Sequence, residues 1–383
     1  MARRRPRHAA PPRFDPRLLG VTLLAAVIAA AGAATVILVP ARDASIRPGA
    51  AIAPTASVTP ESAAPPTITI TGTGDIIMGS APDRLPAEPE GFFDAVAPAL
   101  AGDLLSGNFE GALTEIAKSG KCGDPPVANC DAFRMPPEYA RVIAEAGFDV
   151  VNLANNHTLD YGTDGLADTR EAFSAAGVEY TGMRGQYAEL TFEGVRVAVL
   201  GVSPYSWSQD VHDIEGTAAL VEAAGERNDL VVVNMQAGGE GRDRDHVVRG
   251  EETFLGENRG DVVRFAHAVI DAGADLVLGH GPHVLRGMEF YKGRLIAYSL
   301  GNFAGYRVLA TEGNRGIGAT VSVTLAIDGT WVDGVLHATR MTADGRPALD
   351  PDNTAHELSN RLSRDDFAGT AALVTEGGRI TPP

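Results

Sequence analysis

Two stretches of the chain repeat one helix-to-strand pattern, and this repeat restricts the fold more than any other feature of the sequence. Residues 136–157 read PPEYARVIAEAGFDVVNLANNH, and residues 260–283 read GDVVRFAHAVIDAGADLVLGHGPH. In each stretch, apolar residues recur at helical spacing, a glycine (Gly147 or Gly273) ends the helix, and a short apolar run predicts a buried strand. The two stretches share the string A-G-x-D-x-V. Helices that alternate with buried strands predict a layered α/β domain.

Further strands are predicted between and around these units. Leu230–Val233 is an apolar run typical of a buried strand, and Glu193-Gly194 and Lys292-Gly293 are turns between alternating strands. The mixture of hairpins with helix–strand units indicates a mixed α/β fold. The segment after Thr342 is rich in polar residues and predicts one short helix.

Polar side chains collect where the predicted strands end. They are Asp75, Asn108, Glu110, Asn155, Asn156, His157, Asp160, Gln236, Glu240, His280, His283 and Asn302. Ligands of open α/β sheets bind at the carboxyl ends of the strands. Carboxylate, amide and imidazole groups together suit Mn, Fe, Zn or Mg, and such an ion polarises a phosphoryl or carbonyl group. The pattern therefore predicts a divalent-metal site, and His246 lies in a charged loop from which it could reach that site.

Each of these groups also has a structural alternative. An Asn-Asn-His sequence after a strand is compatible with a turn in which the side chains bond the backbone. Asp75 is compatible with a cap on the turn after its strand. The pair His280 and His283 has a spacing that also arises by chance. The coincidence of several such groups at strand ends favours a site over isolated turns.

The N-terminal region predicts a membrane anchor. Residues 1–17 contain six arginines, and Leu18–Val39 is a run of 22 residues without a charged side chain. This length fits a helix that crosses a bilayer, and the arginines predict that residues 1–17 lie in the cytoplasm. Residues 40–66 are dominated by Pro, Ala, Ser and Thr, which predicts a disordered linker to an extracellular body. The alternative is a signal peptide, cleaved near AGA at 31–33, that yields a secreted protein.

Charge and cysteine content narrow the partners. The net charge is −17 although the first 66 residues are basic, so the body is strongly acidic and is not expected to bind nucleic acid. The two cysteines, Cys122 and Cys130, predict a disulfide across a short extracellular loop.

Several motifs resemble the CapA family, the poly-gamma-glutamate capsule biosynthesis proteins. They are GDIIMG, NFEGALT, NLANNHTLDYG, GGEG and GADLVLGHGPHVLRGMEFYKGRLIAYSLGNF, which fall between Thr67 and Phe303. The resemblance implies a four-layer α/β/β/α sandwich of the metallo-dependent phosphatase type over residues 67–342, followed by a C-terminal extension over 343–383. It also implies metal ligands at Asp75, Glu110, Asn156, His280 and His283. His157, Asp160 and Glu240 are then the expected catalytic residues, and Asn108, Asn155, Gln236, His246 and Asn302 are expected to line the site.

The sequence departs from the family at Gln236, where members often carry a histidine. The side-chain oxygen of glutamine is a weaker metal ligand than an imidazole, so the sequence leaves one of the metal positions in question. The resemblance implies a membrane-anchored protein of capsule or cell-surface polymer biosynthesis with a metal-dependent hydrolase-like site. Its expected partners are an anionic polymer or the membrane complex that makes it. The alternative is an anchored scaffold that binds the polymer without turning it over.

Overall fold

The computed structural model describes residues 66–123, 127 and 130–383. The predicted cytoplasmic segment, the predicted span at 18–39 and the predicted linker up to residue 65 lie outside the described residues. Among the residues that are described, no helix has both the length and the apolar character needed to cross a membrane.

Five α-helices and three short 3-10 helices are present in the described residues. The α-helices are α1 Tyr139–Glu145, α2 Gly162–Ala176, α3 Ile214–Gly225, α4 Val262–Asp271 and α5 Thr354–Phe367, and the 3-10 helices span Asp94–Leu100, Gly313–Gly316 and Ala368–Thr370. The strands are β1 Thr67–Ile77, β2 Leu104–Phe109, β3 Ala112–Leu113, β4 Arg134–Met135, β5 Val150–Asn152, β6 Glu179–Thr181, β7 Ala188–Phe192, β8 Val195–Ser203, β9 Gln209–Asp210, β10 Leu230–Gln236, β11 Thr253–Phe254, β12 Glu257–Asn258, β13 Leu276–His280, β14 Met288–Tyr291, β15 Arg294–Ala297, β16 Asn302–Gly305, β17 Ile317–Ala326, β18 Trp331–Met341, β19 Pro347–Leu349, β20 Leu373–Val374 and β21 Ile380–Thr381.

Two large sheets organise these strands. The first sheet has the order β19-β18-β17-β1-β2-β5-β6, with β16 also paired to β1, and the second has the order β14-β15-β13-β10-β8-β7, with β9 also paired to β8. The pairs β1–β2, β2–β5, β8–β10 and β10–β13 are parallel. The remaining neighbours include the antiparallel hairpins β7–β8 and β14–β15, whose turns lie at the two dipeptides expected from the sequence. The predicted mixed α/β fold is confirmed.

The apolar core places the sheets face to face and the helices outside them. Ile70 and Leu104 of the first sheet belong to the same buried cluster as Val232 of the second. On its other face the first sheet packs against α1 and α2, for example Phe109 against Phe173 with ring centroids 5.0 Å apart. The second sheet packs its outer face against α3 and α4 through a third cluster. Burial of apolar side chains between these layers supplies the main driving force for the fold.

Four aspartates use one device to align neighbouring parallel strands. Each lies immediately before a strand, and its carboxylate accepts a hydrogen bond from a backbone N–H in the adjacent strand. The pairs are Asp103 with Thr69, Asp149 with Leu105, Asp229 with Arg196 and Asp275 with Val231, at 2.7–2.9 Å. In all four, the aspartate's own backbone N–H donates to the carbonyl of the same partner residue. The repeated A-G-x-D-x-V string is explained by this device, because its aspartates are Asp149 and Asp275.

The helix–strand junctions agree with the sequence pattern. Gly147 and Gly273 have φ of +95° and +110°, which glycine adopts without a steric penalty. The helix predicted after Thr342 is α5. The segment 343–383 packs on the rest of the body: β19 pairs with β18, and the backbone N–H of Met288 donates to Ser363 Oγ at 2.9 Å.

Candidate metal centre

Strand register brings the predicted polar residues to one edge of the two sheets. In the first sheet, Asp75 of β1 lies opposite Asn108 of β2, and Asn108 lies opposite Asn152 of β5. In the second sheet, Gln236 of β10 lies opposite His280 of β13. Because these neighbours are parallel, all five positions lie at carboxyl ends, and the packed sheets bring the two rows together.

Two carboxylates and one imidazole form the centre of the site. Asp75 and Glu110 are fully buried. His283 lies between them, with Nδ1 at 3.0 Å from Asp75 Oδ2 and Nε2 at 3.7 Å from Glu110 Oε2. One ligand atom from each of the three residues lies within 4.8 Å of the others, which is close enough for all three to bind one ion. We call these three residues the carboxylate–histidine cluster.

The charges in this cluster are coupled. Burial opposes the charged form of His283, but the carboxylates of Glu110 and Asp75 outweigh it and raise the pKa of His283 well above its usual value. Burial also raises the pKa of Asp75, yet the hydrogen bond and charge of His283 bring that pKa below its ordinary value. Burial and the charge of Asp75 raise the pKa of Glu110 to about 8. Without a cation, the imidazolium of His283 therefore balances the buried charge of Asp75, and a bound metal ion would take the place of its proton.

Two buried atoms at the site lack a hydrogen-bond partner among the described residues, and both fit a metal ligand. They are Glu110 Oε2 and His280 Nδ1. His280 Nε2 lies 3.1 Å from Asn234 Oδ1, while Nδ1 lies 3.6 Å from Asp75 Oδ1. Burial lowers the pKa of His280 to about 4, so the ring is neutral at pH 7. With Nε2–H donated to Asn234, the lone pair of Nδ1 is directed toward Asp75, as in a metal-binding histidine whose second nitrogen is anchored.

A network of amides fixes the two carboxylates. Asn108 Nδ2 donates to Asp75 Oδ1 at 2.8 Å and to Gln236 Oε1 at 2.9 Å. Gln236 Nε2 in turn lies 3.0 Å from Glu110 Oε1 and 3.2 Å from Asn156 Oδ1. Gln236 therefore holds Glu110 and Asn156 in place through its amide. Gln236 supports the site through hydrogen bonds rather than through a charge.

Amides from the first sheet extend the network. Asn108 Oδ1 accepts from Asn152 Nδ2 at 2.9 Å and from Asn155 Nδ2 at 3.2 Å. Asn155 also donates to the carbonyl of Phe109 at 2.7 Å, so it fixes the turn that carries Asn156. Asn302 fixes the other side, because its Oδ1 lies 2.9 Å from His283 Nδ1 and its Nδ2 donates to the carbonyl of the same residue at 3.1 Å. These amides orient the ligand candidates.

A histidine–aspartate pair stands beside the cluster. His157 Nδ1 lies 2.8 Å from Asp160 Oδ2, and Lys121 Nζ donates to Asp160 Oδ1 at 2.6 Å. The backbone N–H of Phe133 also donates to Asp160 Oδ2 at 2.6 Å. Burial lowers the pKa of His157, and the charge of Asp160 opposes that shift only in part. Asp160 accepts a hydrogen bond from Nδ1–H of the neutral ring, so Nε2 is the atom of His157 that carries a lone pair.

An arginine–glutamate pair stands near the cluster. Glu240 Oε2 lies 4.0 Å from His283 Nε2, and Glu240 Oε1 accepts from Arg259 Nη1 at 2.8 Å.

His283 itself has φ of +57°, a left-handed conformation that is uncommon outside glycine and is often found at functional sites.

One candidate has a different partner. His246 was expected to be within reach of the site, but its Nδ1 lies 2.7 Å from Asp366 Oδ1 of α5, and about half of the side chain is exposed. The salt bridge with Asp366 accounts for its position. Cys122 and Cys130 form a disulfide, with Cα atoms 5.5 Å apart, on the loop that follows Lys121.

Sequence reasoning missed four residues that support the site: Lys121, Asn152, Asn234 and Arg259. Asn152 and Asn234 carry a readable signal, because each is an amide that directly follows buried valines in a strand. Lys121 and Arg259 lie in loops, and no local pattern connects them to their acidic partners.

The fold and site together define a mixed α/β protein in which carboxylates, amides and histidines meet at strand ends. Residues 69–306 match the model of the family described as "Bacterial capsule synthesis protein PGA_cap", and the chain belongs to that family.

Two Bacillus proteins are among its relatives. The chain is 34% identical over 260 residues to the "Capsule biosynthesis protein CapA" of Bacillus anthracis. The aligned region covers 62% of this chain and 59% of that protein. It is 31% identical over 250 residues to the "PGA biosynthesis protein CapA" of Bacillus subtilis, which covers 60% of this chain and 61% of the relative. A "Probable polyglutamine synthesis accessory protein" of Mycobacterium tuberculosis is 32% identical over 238 residues, covering 54% of this chain and 57% of its own length. The chain thus spans about three fifths of the length of these curated relatives.

Proposed function

We propose that this protein acts in the biosynthesis of an anionic capsule or cell-surface polymer of the poly-gamma-glutamate type, through a divalent-metal-dependent, hydrolase-like site. The names of the Bacillus relatives, which refer to capsule and PGA biosynthesis, support the polymer class. The observation that carries the site is the buried carboxylate–histidine cluster with two unpartnered buried atoms, Glu110 Oε2 and His280 Nδ1.

The chain's own residues divide the work. Asp75, Glu110 and His283 would hold the cation, with His280 Nδ1 and the side-chain oxygen of Asn156 beside them. A divalent cation at this position polarises a carbonyl or phosphoryl oxygen and lowers the pKa of water. The amide network keeps the carboxylates oriented, so little reorganisation is needed when the substrate arrives.

His157 is the proton-transfer residue in this proposal. Asp160 fixes its ring through Nδ1, which leaves Nε2 to bind the anionic centre or to move a proton to or from the leaving group. Lys121 places a positive charge 2.6 Å from the second oxygen of Asp160, which is buried. Glu240 adds a carboxylate near His283 on the other side of the cluster.

The charge of the protein favours a cation-dependent mode of binding. A chain with net charge −17 repels a polymer of carboxylates unless positive charge stands between them. The proposed substrate bond is the amide of a glutamate polymer, and a phosphoester is the second candidate because the fold resembles that of metallophosphatases. We further propose that residues 18–39 anchor the protein in the cell membrane with the body outside, where such a polymer is assembled.

A non-catalytic role is the alternative, and one observation favours it. Gln236 occupies a position at the centre of the site with a neutral side chain, whose amide bonds both Glu110 and Asn156. In this alternative the same cleft binds the anionic polymer, through a cation, without cleaving it.

One experiment separates the two. The purified chain is analysed for bound metal and assayed with Mn²⁺ against poly-gamma-glutamate, by chain length, and against a generic phosphodiester. The hydrolase proposal predicts turnover that falls at least about 100-fold in Asp75→Asn. Asp271→Asn, which removes a carboxylate from an exposed pair with Lys292, is the matched control and should keep full activity. Polymer binding without turnover would support the scaffold, and a metal-free protein with neither property would refute the site.

A further inference from the structure

We infer that Arg259 is a positioning residue that fixes the carboxylate of Glu240 beside the cation site. The inference rests on the cation binding in the proposed function and adds a residue outside the carboxylate–histidine cluster. Its basis is a continuous chain of contacts from Arg259 through Glu240 to His283.

The carboxylate of Glu240 lies between Arg259 and His283. Its Oε1 accepts from Arg259 Nη1 at 2.8 Å, and its Oε2 lies 4.0 Å from His283 Nε2. Glu110 Oε2 lies 3.7 Å from the same nitrogen. Two carboxylate oxygens from different loops therefore face one imidazole nitrogen, and Glu240 brings additional negative charge to the place where a cation would bind.

Arg259 is itself held firmly. Its side chain is 5% exposed, and its Nε and Nη2 lie 3.1 Å and 3.0 Å from Glu257 Oε2. The guanidinium carbon lies 5.4 Å from the centre of the Phe254 ring and 5.9 Å from that of Tyr205. A planar guanidinium held on one edge by a carboxylate and next to two rings has one orientation, so it presents Nη1 to Glu240 in a fixed direction.

The backbone of this loop is fixed by other contacts. Arg286 Nη2 donates to the carbonyl of Gly239 at 3.2 Å, and the N–H of Gly239 donates to Glu252 at 2.9 Å. The Arg286–Glu252 pair is fully buried and holds the main chain next to Glu240. Arg259 is therefore left to determine the position of the Glu240 side chain.

Arg259→Lys is the informative change because it keeps the positive charge. A lysine ammonium cannot bond Glu257 and Glu240 with the same fixed geometry, so any loss reports positioning and not net charge. Mn²⁺ affinity of the full chain, measured by isothermal titration calorimetry, should fall about 10-fold, as is typical when a residue that orients a metal-site group is replaced. The matched control is Arg294→Lys, which alters an arginine paired with Asp275 and should stay within about twofold of the wild type.

A double variant shows whether the effect passes through Glu240. In a Glu240→Gln background, Arg259→Lys should change the Mn²⁺ affinity by no more than about twofold. Should Arg259→Lys fail to fold, Glu240→Asp gives the same readout, because its shorter side chain cannot reach both Arg259 and the site. Its affinity should also fall about 10-fold.

The outcomes are distinct. Wild-type Mn²⁺ affinity in Arg259→Lys overturns this inference alone, and so does wild-type affinity in Glu240→Asp if the lysine variant does not fold. An undiminished effect of Arg259→Lys in the Glu240→Gln background also overturns it. A wild-type protein that binds no Mn²⁺ overturns both this inference and the proposed metal site.

Discussion

The buried pair Arg286–Glu252 gives the sharpest stability prediction. Both side chains are almost completely buried, and the guanidinium donates to both oxygens of Glu252 at 2.8 Å and to the carbonyl of Arg244 at 2.7 Å. Arg286→Met leaves the Glu252 carboxylate with the backbone N–H of Gly239 as its hydrogen-bond donor. Removing one partner of a buried ion pair costs about 3–5 kcal/mol of unfolding free energy, because the other charge stays buried without compensation.

Urea unfolding of three variants tests this reasoning. Arg286→Met should lower the free energy of unfolding by about 3–5 kcal/mol. Arg286→Met combined with Glu252→Met should lose about 1–3 kcal/mol, since no unpaired charge remains and the main loss is the buried N–H of Gly239 left without its acceptor. Arg141→Met, which breaks exposed pairs with Glu90 and Glu145, should leave the free energy of unfolding nearly unchanged.

The comparison of Arg286→Met with the double variant shows whether the unpaired charge of Glu252 causes the loss of stability. A double variant at least as unstable as Arg286→Met alone would show that the cost does not come from the unpaired charge of Glu252. A loss below about 1 kcal/mol in Arg286→Met would show that the pair does not hold the loop, and the positioning of Glu240 would then need another explanation.

Two other predictions concern groups outside the carboxylate–histidine cluster. Burial raises the pKa of Asp275 to about 6 from 3.8, so the folded state binds this proton more tightly than the unfolded chain and stability falls as the pH rises from about 4 to about 6. The unfolding free energy of wild type relative to Asp275→Asn should therefore decline by about 3 kcal/mol over that window in pH-dependent urea titrations, and a flat difference would contradict the burial argument. Lys121→Met should cost about 1.5–3 kcal/mol by the same method, because it removes a charged partner of the fully buried Asp160. Lys292→Met, from a pair with both side chains exposed, should leave the free energy of unfolding nearly unchanged, and equal losses in the two variants would show that burial of the acidic partner does not matter.

Much of the local structure is predictable from the sequence. The helix–strand units, the hairpin turns and α5 follow from short-range periodicity and turn residues, which depend on neighbours along the chain. The aspartate in each A-G-x-D-x-V string is recognisable only as a repeat. Its carboxylate accepts a backbone hydrogen bond near the start of the adjacent strand. This role depends on which strands pair, and short-range sequence patterns do not determine the pairing.

The site shows the same division. Asp75 and His283 are identifiable from their places at strand ends and from the family resemblance. Their contact at 3.0 Å depends on the packing of two sheets. Loop residues are the least predictable: Arg259 bonds Glu240 from 19 positions away, and His246 lies against Asp366, 120 positions away in the sequence. A charged side chain in a long loop has many acidic partners available, and tertiary structure selects among them.

The most direct test of the account is a crystal of this protein soaked with Mn²⁺ and measured at the manganese absorption edge. The account predicts one anomalous peak at the carboxylate–histidine cluster, about 2.0–2.3 Å from oxygens of Asp75 and Glu110 and from a ring nitrogen of His283, the range for nitrogen and oxygen ligands of such ions. The proposed metal site would be contradicted if Mn²⁺ at saturating concentration gave no anomalous peak at the cluster, or if the ion were bound by other residues alone.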